Sequence, residues 1–577
     1  MKYRNHLKSL LHYFPSNIQT ETTISSLAVI LNCSERHVKT ILKSLHEQGD
    51  IQWVIQRGRG KKPLLTIILT EEQLLFEEAK ELVSSGKYRK AFEIAKSLKS
   101  LQNEFNQWME ADLGIVHEKD ENVEQDILRY SFYETKLCMD PIKAVSRHDG
   151  HMIQQIFDRL VEYDPERNVL LPRLARSWES GDGRIWIFYL QKGVPFHHGR
   201  EMTSEDVKQS IKRIPSNNII VKSIKEIATP SPYTIVFYLN EVDYLFPRYF
   251  SNSKASIVPI EVILGDEKKF QKFPIGTGPY RLTVHDDDLV RLDVFKNYYR
   301  ERPWLDKIEI IKTANSAREV NHPLMLKAPD DSWEEIREIE EGADYITFNC
   351  SRSLIRDIRF RKRLSEIINP VEFCIEGEIV ASSFLSNRSL ELNEKKFIAA
   401  TKMIPIDTTL KIAAQEIREG VNHEREAIIL QNQLKRAGID STIEIVKSSE
   451  LSKPKIISSF DLVVGGIALS DDHLLSVLTA TVSNHLPICP SMSKEIHKKV
   501  DNFMTRIKLL QDESSRWKLY FEMEDYLKSE YQIIFLNHRT HTIYQHKDSE
   551  YANIELDHHG RVDYRRVWKR HKAKFNS

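Results

Sequence analysis

Cysteine is scarce and scattered: Cys33, Cys138, Cys350, Cys374 and Cys489 are the five thiols in 577 residues. None forms a Cys-x-x-Cys pair and the count is odd, so free thiols in a reducing compartment are expected. Long apolar runs are also missing. No stretch approaches the ~18 apolar residues of a membrane-spanning helix. The opening "MKYRNHLKSLLHYFPSNIQT" lacks the apolar core of a secretory signal, so a cytoplasmic location is expected. Net charge is zero, with 83 basic and 83 acidic residues, so no global field favours nucleic acid or membrane. The common catalytic motifs are absent too. His46-Glu47, His117-Glu118 and His423-Glu424 each lack the second histidine of a His-Glu-x-x-His site. There is no Gly-x-Ser-x-Gly elbow, and "SSGKYRK" lacks the upstream glycine and the Ser/Thr of a phosphate loop. These absences point away from an enzyme, a resident metal and a cofactor.

The charge that is present is unevenly placed. Residues 1–70 carry ten Lys/Arg against four Asp/Glu, a net +6, and the remainder carries −6. Within the basic stretch, "TTISSLAVILN" puts Ile24, Leu27, Ala28 and Leu31 on one helical face, with Thr22 or Thr23 as cap. Asn32 and Cys33 form a short turn. Ser34 caps a second helix, "ERHVKTILKSLHEQGD", with Val38, Ile41, Leu42 and Leu45 inward and Gly49 at its end. "IQWVIQ" and "LLTIIL" read as strands joined by "RGRGKKP". Two helices across a tight turn, followed by a hairpin with a basic tip, make the winged helix-turn-helix pattern expected over 1–69. Arg36, His37, Lys39, Thr40 and Lys43 would face the major groove of double-stranded DNA, and Arg57, Arg59, Lys61 and Lys62 would hold phosphates. A protein-binding helical module with a solvated basic loop is the bland alternative.

Residues 70–118 read as a helical hairpin. Thr70 and Gln73 form a capping box for "EEQLLFEEAKELVSS". Gly86 breaks the run, and "YRKAFEIAKSLKSLQNEFNQWME" is expected to be one longer helix. Its simplest role is a spacer, with dimerisation as the competing one. Residues 119–577 form an α/β body. In it "LKIAA", "HEREAIILQNQLKRAG" and "STIEIV" make a strand-helix-strand unit that implies a parallel pair, with Gly438 ending the helix.

Two polar clusters in the body invite a chemical reading. In "GVPFHHGREMTSEDV", His197 and His198 are adjacent on an extended run and so point to opposite faces, which does not favour one metal. Thr203 and Asp206 read as cap and partner for the next helix. "GTGPY" at 276–280 lacks the third glycine of a dinucleotide loop and reads as a structural turn. The second cluster, Ser470, Asp471, Asp472 and His473, follows the strand "FDLVVGGIAL". Ligands tend to bind at the end of a strand in an open α/β sheet. A cap for "HLLSVLTA" explains the same residues equally well.

Taken together, the blocks carry a resemblance. "VLLPRLARSWESGDGRIWIFYLQKGVPFHHGREMTSEDVKQSIKR" (169–213) resembles the signature of the family 5 solute-binding proteins. "PIGTGPYRL", "VFKNYYRERPWLDKIEI", "YITFNCSRSLIRDIRFRKRLSEIIN" and the terminal "GRVDYRRVW" follow in the same order. The resemblance implies a periplasmic-binding-protein-like (type II) body of two α/β lobes closing on a ligand. Lobe I would hold about 119–345 and 540–577, and lobe II about 346–539. "YITFN" would be one hinge crossing and "IIFLNHR" the return. Tyr133, Asn349, Ser470, Asp471 and Asp472 would then lie at the ligand cleft. The front, "LAVILNCSERHVKTILKSL" with "QWVIQRGRGKKPLLTIIL", is similar to the DNA-binding domain of SgrR-type regulators, which join a winged helix to a cytoplasmic solute-binding domain. The resemblance implies a ligand-responsive regulator of transcription, with a sugar, a sugar phosphate or an oligopeptide as solute. A solute- or peptide-binding module that signals through a protein partner is the alternative. One departure bears on the solute. Peptide-binding members carry a Trp-x-Ala-Asp-Tyr-type segment, and here "GIALSDDHLL" has no tryptophan.

Overall fold

The structure is a computed structural model. It describes all of the chain except residues 1–2, 59, 103, 106–107, 109–113, 121–122, 133–136, 145–146, 313–330, 391–407, 417–420, 452, 485, 548–550, 558–560 and 571–577. The chain divides into two compact units. The first holds Met1–Lys136, Thr283–Leu292 and Asp306–Met325, and the second holds the rest.

The first unit opens with α1 (Arg4–Tyr13), β1 (Thr20–Glu21), α2 (Ile24–Ile30), α3 (Glu35–Glu47), β2 (Ile51–Val54) and β3 (Leu64–Ile67). Leu7, Leu10, Leu27, Val38, Ile41, Leu42 and Leu45 close one core, and Leu65 and Ile67 complete it from the sheet. Each fully buried Leu or Ile of this kind contributes roughly 1.5–3 kcal/mol. Thr23 caps α2 by accepting from the Ser26 amide, and Ser34 caps α3 by accepting from the His37 amide. Asn32, at φ 49°, makes the left-handed turn between them. The sheet order is β1-β3-β2, all antiparallel, which is the winged arrangement.

α4 (Glu71–Ser84) starts at the expected Thr70–Gln73 capping box. α5 (Tyr88–Ala95) is shorter than the sequence suggests. The chain turns after Ala95, and the Glu72 carboxylate accepts from the amides of Lys99, Ser100 and Leu101 and from the Ser100 hydroxyl. A carboxylate that caps three consecutive amides stabilises a new turn where the apolar spacing alone would continue the helix. This hairpin packs Phe76, Phe92 and Phe105 with Leu289 and Ile311. The last two come from a five-stranded sheet of β4 (Gly114–Asp120), β5 (Val123–Phe132), β10 (Tyr280–His285), β11 (Leu289–Val294) and β12 (Lys307–Lys312). Its order is β10-β11-β12-β5-β4.

The second unit carries two further sheets. Strands β6 (Ala175–Glu179), β7 (Ile185–Leu190), β8 (Ile224–Ser231) and β9 (Thr234–Leu239) form an antiparallel sheet in the order β8-β9-β7-β6. α6 (Ser204–Lys212) packs on it behind the Thr203–Asp206 capping box, and α7 (Phe246–Tyr249) follows β9. The other sheet is mixed, with β14 (Gly342–Phe348), β15 (Leu410–Gln415), β16 (Ser441–Val446), β17 (Leu462–Ala468) and β18 (Ile533–Phe535) in the order β16-β15-β17-β14-β18. Its β15–α8–β16 unit, with α8 at His423–Arg436, is parallel as expected, and Gly438 ends the helix at φ 82°. α9 (His473–Val482), α10 (Lys494–Leu509) and α11 (Glu513–Ser529) share one apolar core with the antiparallel sheet, including Phe188 and Phe237.

The segment "YITFN", expected as a hinge crossing, lies largely within β14, in the interior of the mixed sheet. Just before it, β13 (Trp333–Ile339) pairs antiparallel with β19 (Thr540–His546), from Trp333↔His546 to Ile339↔Thr540.

Candidate DNA-contact surface and solute cavity

The exposed side of α3 carries Arg36, His37, Lys39, Thr40 and Lys43, while Val38, Ile41 and Leu42 fill the core behind it. Only weak local bonds engage this face. Thr40 donates to the Arg36 carbonyl at 3.4 Å, and Lys43 lies 3.8 Å from Glu47. His37 is set edge-on to His6 and Tyr3, with centroids 6.0 and 6.2 Å away. The spacing of α1 alone gave no hint of that contact. In the wing, Arg57, Lys61 and Lys62 are exposed, and Arg59 lies outside the described residues. A row of exposed cations on a helix and a second group on a hairpin tip can meet groove edges and phosphates together.

His197 and His198 take different partners. His197 donates from Nε2 to the Gly278 carbonyl at 3.0 Å and accepts from the Gly276 amide at 3.3 Å. Burial pushes its pKa down to about 4 despite the Gly278 bond, so it works as a neutral strut. His198 faces Glu261 at 3.3 Å. The "GTGPY" turn that His197 pins runs against the 155–157 backbone. A Cβ on Gly276 or Gly278 would overlap the Ile156 carbonyl group, which explains the glycines structurally.

In the second unit, a cavity of about 730 Å³ is lined by residues 154–173, 279–304 and 553–568, with Asp471 among them. Its charged wall was not read from the sequence. Arg173 donates to Glu162 at 2.6 Å and lies 3.8 Å from Asp158. Arg565 bonds Asp563 through two nitrogens at 3.0 and 3.1 Å and lies 3.6 Å from Glu162. Burial would raise the Glu162 carboxyl, but Arg173, Arg565 and Arg159 hold it at about 2. The Tyr298, Trp304 and Trp568 rings share the cavity wall. Fixed charges of both signs beside aromatic faces suit a small polar solute.

The five residues expected at the cleft separate. Asp471 lines the cavity, and its charge acts on Arg159 and Arg565. Asn349 does not line it. It is fully buried and donates to the Ile457 and Phe460 carbonyls, while its oxygen accepts from the Ser351 amide and hydroxyl. Every polar atom of that side chain is used in fastening a turn. Ser470 is bonded to Ser476, hydroxyl to hydroxyl, at 2.6 Å. Asp472 caps α9 through the Leu475 amide and pairs with Arg248, so both are spent within the protein. Tyr133 lies outside the described residues.

A second buried cluster joins Asp344, His423 and Glu426, whose potential ligand atoms lie within 4.8 Å of one another. Arg539 engages both oxygens of Asp344, so a guanidinium already stands where a cation would approach. Burial, and then the Asp344 charge, raise the Glu426 carboxyl well above its usual range, while Arg539 opposes this. Glu426 therefore favours its protonated form. Asp344 lies about 80 residues before His423 and Glu426, so no local motif joins the three. Among the described residues no helix is long and apolar enough to cross a membrane.

Comparison with known proteins bears on both halves. A family model described as "Sugar transport-related sRNA regulator N-term" (SgrR_N) matches residues 2–120. Another, "Bacterial extracellular solute-binding proteins, family 5 Middle", matches residues 169–373. The protein YhjP of Bacillus subtilis is 26% identical over 566 residues, covering 95% of this chain and 96% of that one. The HTH-type transcriptional regulator SgrR of Yersinia enterocolitica is 30% identical over 358 residues. That match covers 62% of this chain and spans 63% of the regulator's length. Among solved structures, the dipeptide-binding protein of Pseudoalteromonas in complex with Met-Leu has a TM-score of 0.62 at 19% identity, covering 77% of this chain and all of that one. NikZ of Campylobacter jejuni in complex with Ni(L-His) has a TM-score of 0.60 at 18% identity, covering 77% of this chain and 99% of that one. These likenesses establish the two-lobed type II fold of the body. The chain thus matches the SgrR N-terminal model ahead of the family 5 solute-binding model, and it is similar to an SgrR regulator over 62% of its length.

Proposed function

We propose that this protein is a cytoplasmic, ligand-responsive transcriptional regulator that binds double-stranded DNA through α3 and the wing. The observation that carries the reading is the exposed basic face of α3, backed by a wing with further cations, on the same chain as a solute-binding body. It acts by binding rather than by catalysis. Arg36, His37, Lys39, Thr40 and Lys43 read base edges, and Arg57, Arg59, Lys61 and Lys62 anchor phosphates. A small polar solute, a sugar or sugar phosphate or else an oligopeptide, occupies the cavity against Asp471, Arg173 and Arg565. Occupancy shifts the body between states, and the effect on DNA is no larger than the solute's preference for one of them.

The test is fluorescence anisotropy with a duplex from the gene's own upstream region across a salt series. Each phosphate contact contributes a slope of about 0.9 in log–log form. The triple variant Arg36→Ala, Lys61→Ala, Lys62→Ala is expected to bind more weakly and to lower the salt slope by about two. An unchanged slope would reject this surface. A thermal-shift screen of sugars, sugar phosphates and short peptides identifies the solute class, and silence from all three counts against a sensor.

A further inference from the structure

Arg248 is a buried cation that does not line the cavity. It sits on α7, in the layer of the four-stranded antiparallel sheet. Its Nε donates to Asp472 Oδ2 at 2.8 Å, one terminal nitrogen bonds Asp472 Oδ1, and the other bonds Glu513. The side chains of Arg248 and Asp472 are 5% and 2% exposed. Both acids come from segments more than 200 residues further along the chain: Asp472 is the N-cap of α9, and Glu513 opens α11. The guanidinium also lies 4.5 Å from the ring centroid of Tyr163, a cavity-lining residue. The same seam carries further bonds. Lys508 pairs with Glu241 at 2.6 Å, the Tyr244 amide donates to the Lys508 carbonyl at 2.8 Å, and Arg516 donates to the Tyr244 carbonyl at 3.0 Å.

We propose that Arg248 is a positioning residue for the cavity: clamping Asp472 from α7, it fixes the neighbouring Asp471 at the cavity edge. The proposal rests on reading the cavity as the solute site. A buried ion pair is weak evidence for stability, because desolvation offsets its attraction, but its geometry selects one arrangement over alternatives. The two-pronged bond to Asp472 does this here. It allows one placement of the Ser470–Asp472 turn relative to α7, and Asp471 has no freedom to follow a different one. Tyr163 links the same guanidinium to the opposite wall, so one residue aligns both sides of the cavity.

Hydrogen exchange on the full chain tests this without knowledge of the solute. Arg248→Met keeps the stem and removes the charge. It is expected to speed exchange at least tenfold across 469–476 and across 508–516, and to leave α8 and the wing unchanged. Arg248→Lys restores part of the protection, because an ammonium still pairs with Asp472. Unchanged exchange at 469–476 in the Met variant overturns the proposal, as does a Lys variant no better than Met. If the Met variant does not fold, Arg248→Lys is compared with the wild type, because an ammonium cannot make the two-pronged bond to Asp472. Faster exchange at 469–476 then supports the clamp, and unchanged exchange overturns it. Glucose 6-phosphate and trialanine serve as cavity probes in a parallel melting experiment. Silence from both counts against the solute reading and leaves the exchange result to judge the clamp by itself. A probe that raises the wild-type melting temperature and binds Arg248→Lys equally well would show that Arg248 does not position the cavity.

Discussion

Gly276 shows how one residue's absence of a side chain can hold a fold together. It lies against the Ile156 carbonyl and accepts His197's backbone amide, so the turn has no room for a methyl group. Gly276→Ala is expected to destabilise the body by about 3 kcal/mol, the upper end of overpacking, in a denaturant titration. Glu426 is the other residue-scale prediction. The unfolded chain releases this proton near the usual 4.5, whereas the folded cluster retains it to a higher pH. The stability it contributes is present in acid and is lost as pH rises through the folded value. Glu426→Gln keeps a neutral amide there at every pH. Its melting temperature should gain on the wild type as pH rises from about 5 towards 8, and parallel curves would place the proton elsewhere. The sequence shows the 197–198 turn and its caps because those signals are local. It does not show Arg565 beside Glu162 at the cavity, or Asp344 beside Glu426, because only the fold brings those separate segments together.

At the scale of elements, caps and apolar spacing located α2, α3, α4 and the β15–α8–β16 unit correctly. α5 was overextended for a definable reason: Glu72, from a different helix, captures the amides at 99–101. A hydrogen bond from outside a helix leaves no trace in its periodicity. "YITFN" is largely apolar because it is interior to a sheet, whereas the neighbouring β13–β19 ribbon pairs two more polar strands. For α3, the Ser34 hydroxyl holds the first turn, which also carries Arg36 and His37. Ser34→Ala should cost about 1 kcal/mol in stability. It should also weaken duplex binding while leaving the salt slope unchanged, because geometry is loosened and no phosphate contact is removed.

For the whole molecule, a regulator of this design must obey reciprocity. If a solute changes duplex affinity by some factor, the duplex changes solute affinity by the same factor. Titrating the solute into free and duplex-bound protein by calorimetry should return two constants whose ratio matches the anisotropy shift. Equal constants would mean that the two halves share a chain without coupling.

The cavity wall has a consequence for the order in which the protein is made. Arg36 and the wing leave the ribosome first, while Arg565 and Trp568 arrive about 500 residues later. Under the proposed function, the chain has its DNA-binding segment and an unfinished cavity for most of its synthesis. A product cut short ahead of Asp563, by a premature stop or by a protease, would keep the part that docks and lose the part that listens. Such a fragment would occupy the operator whatever the solute level, so a lesion at the far end of the gene would act as a dominant trait.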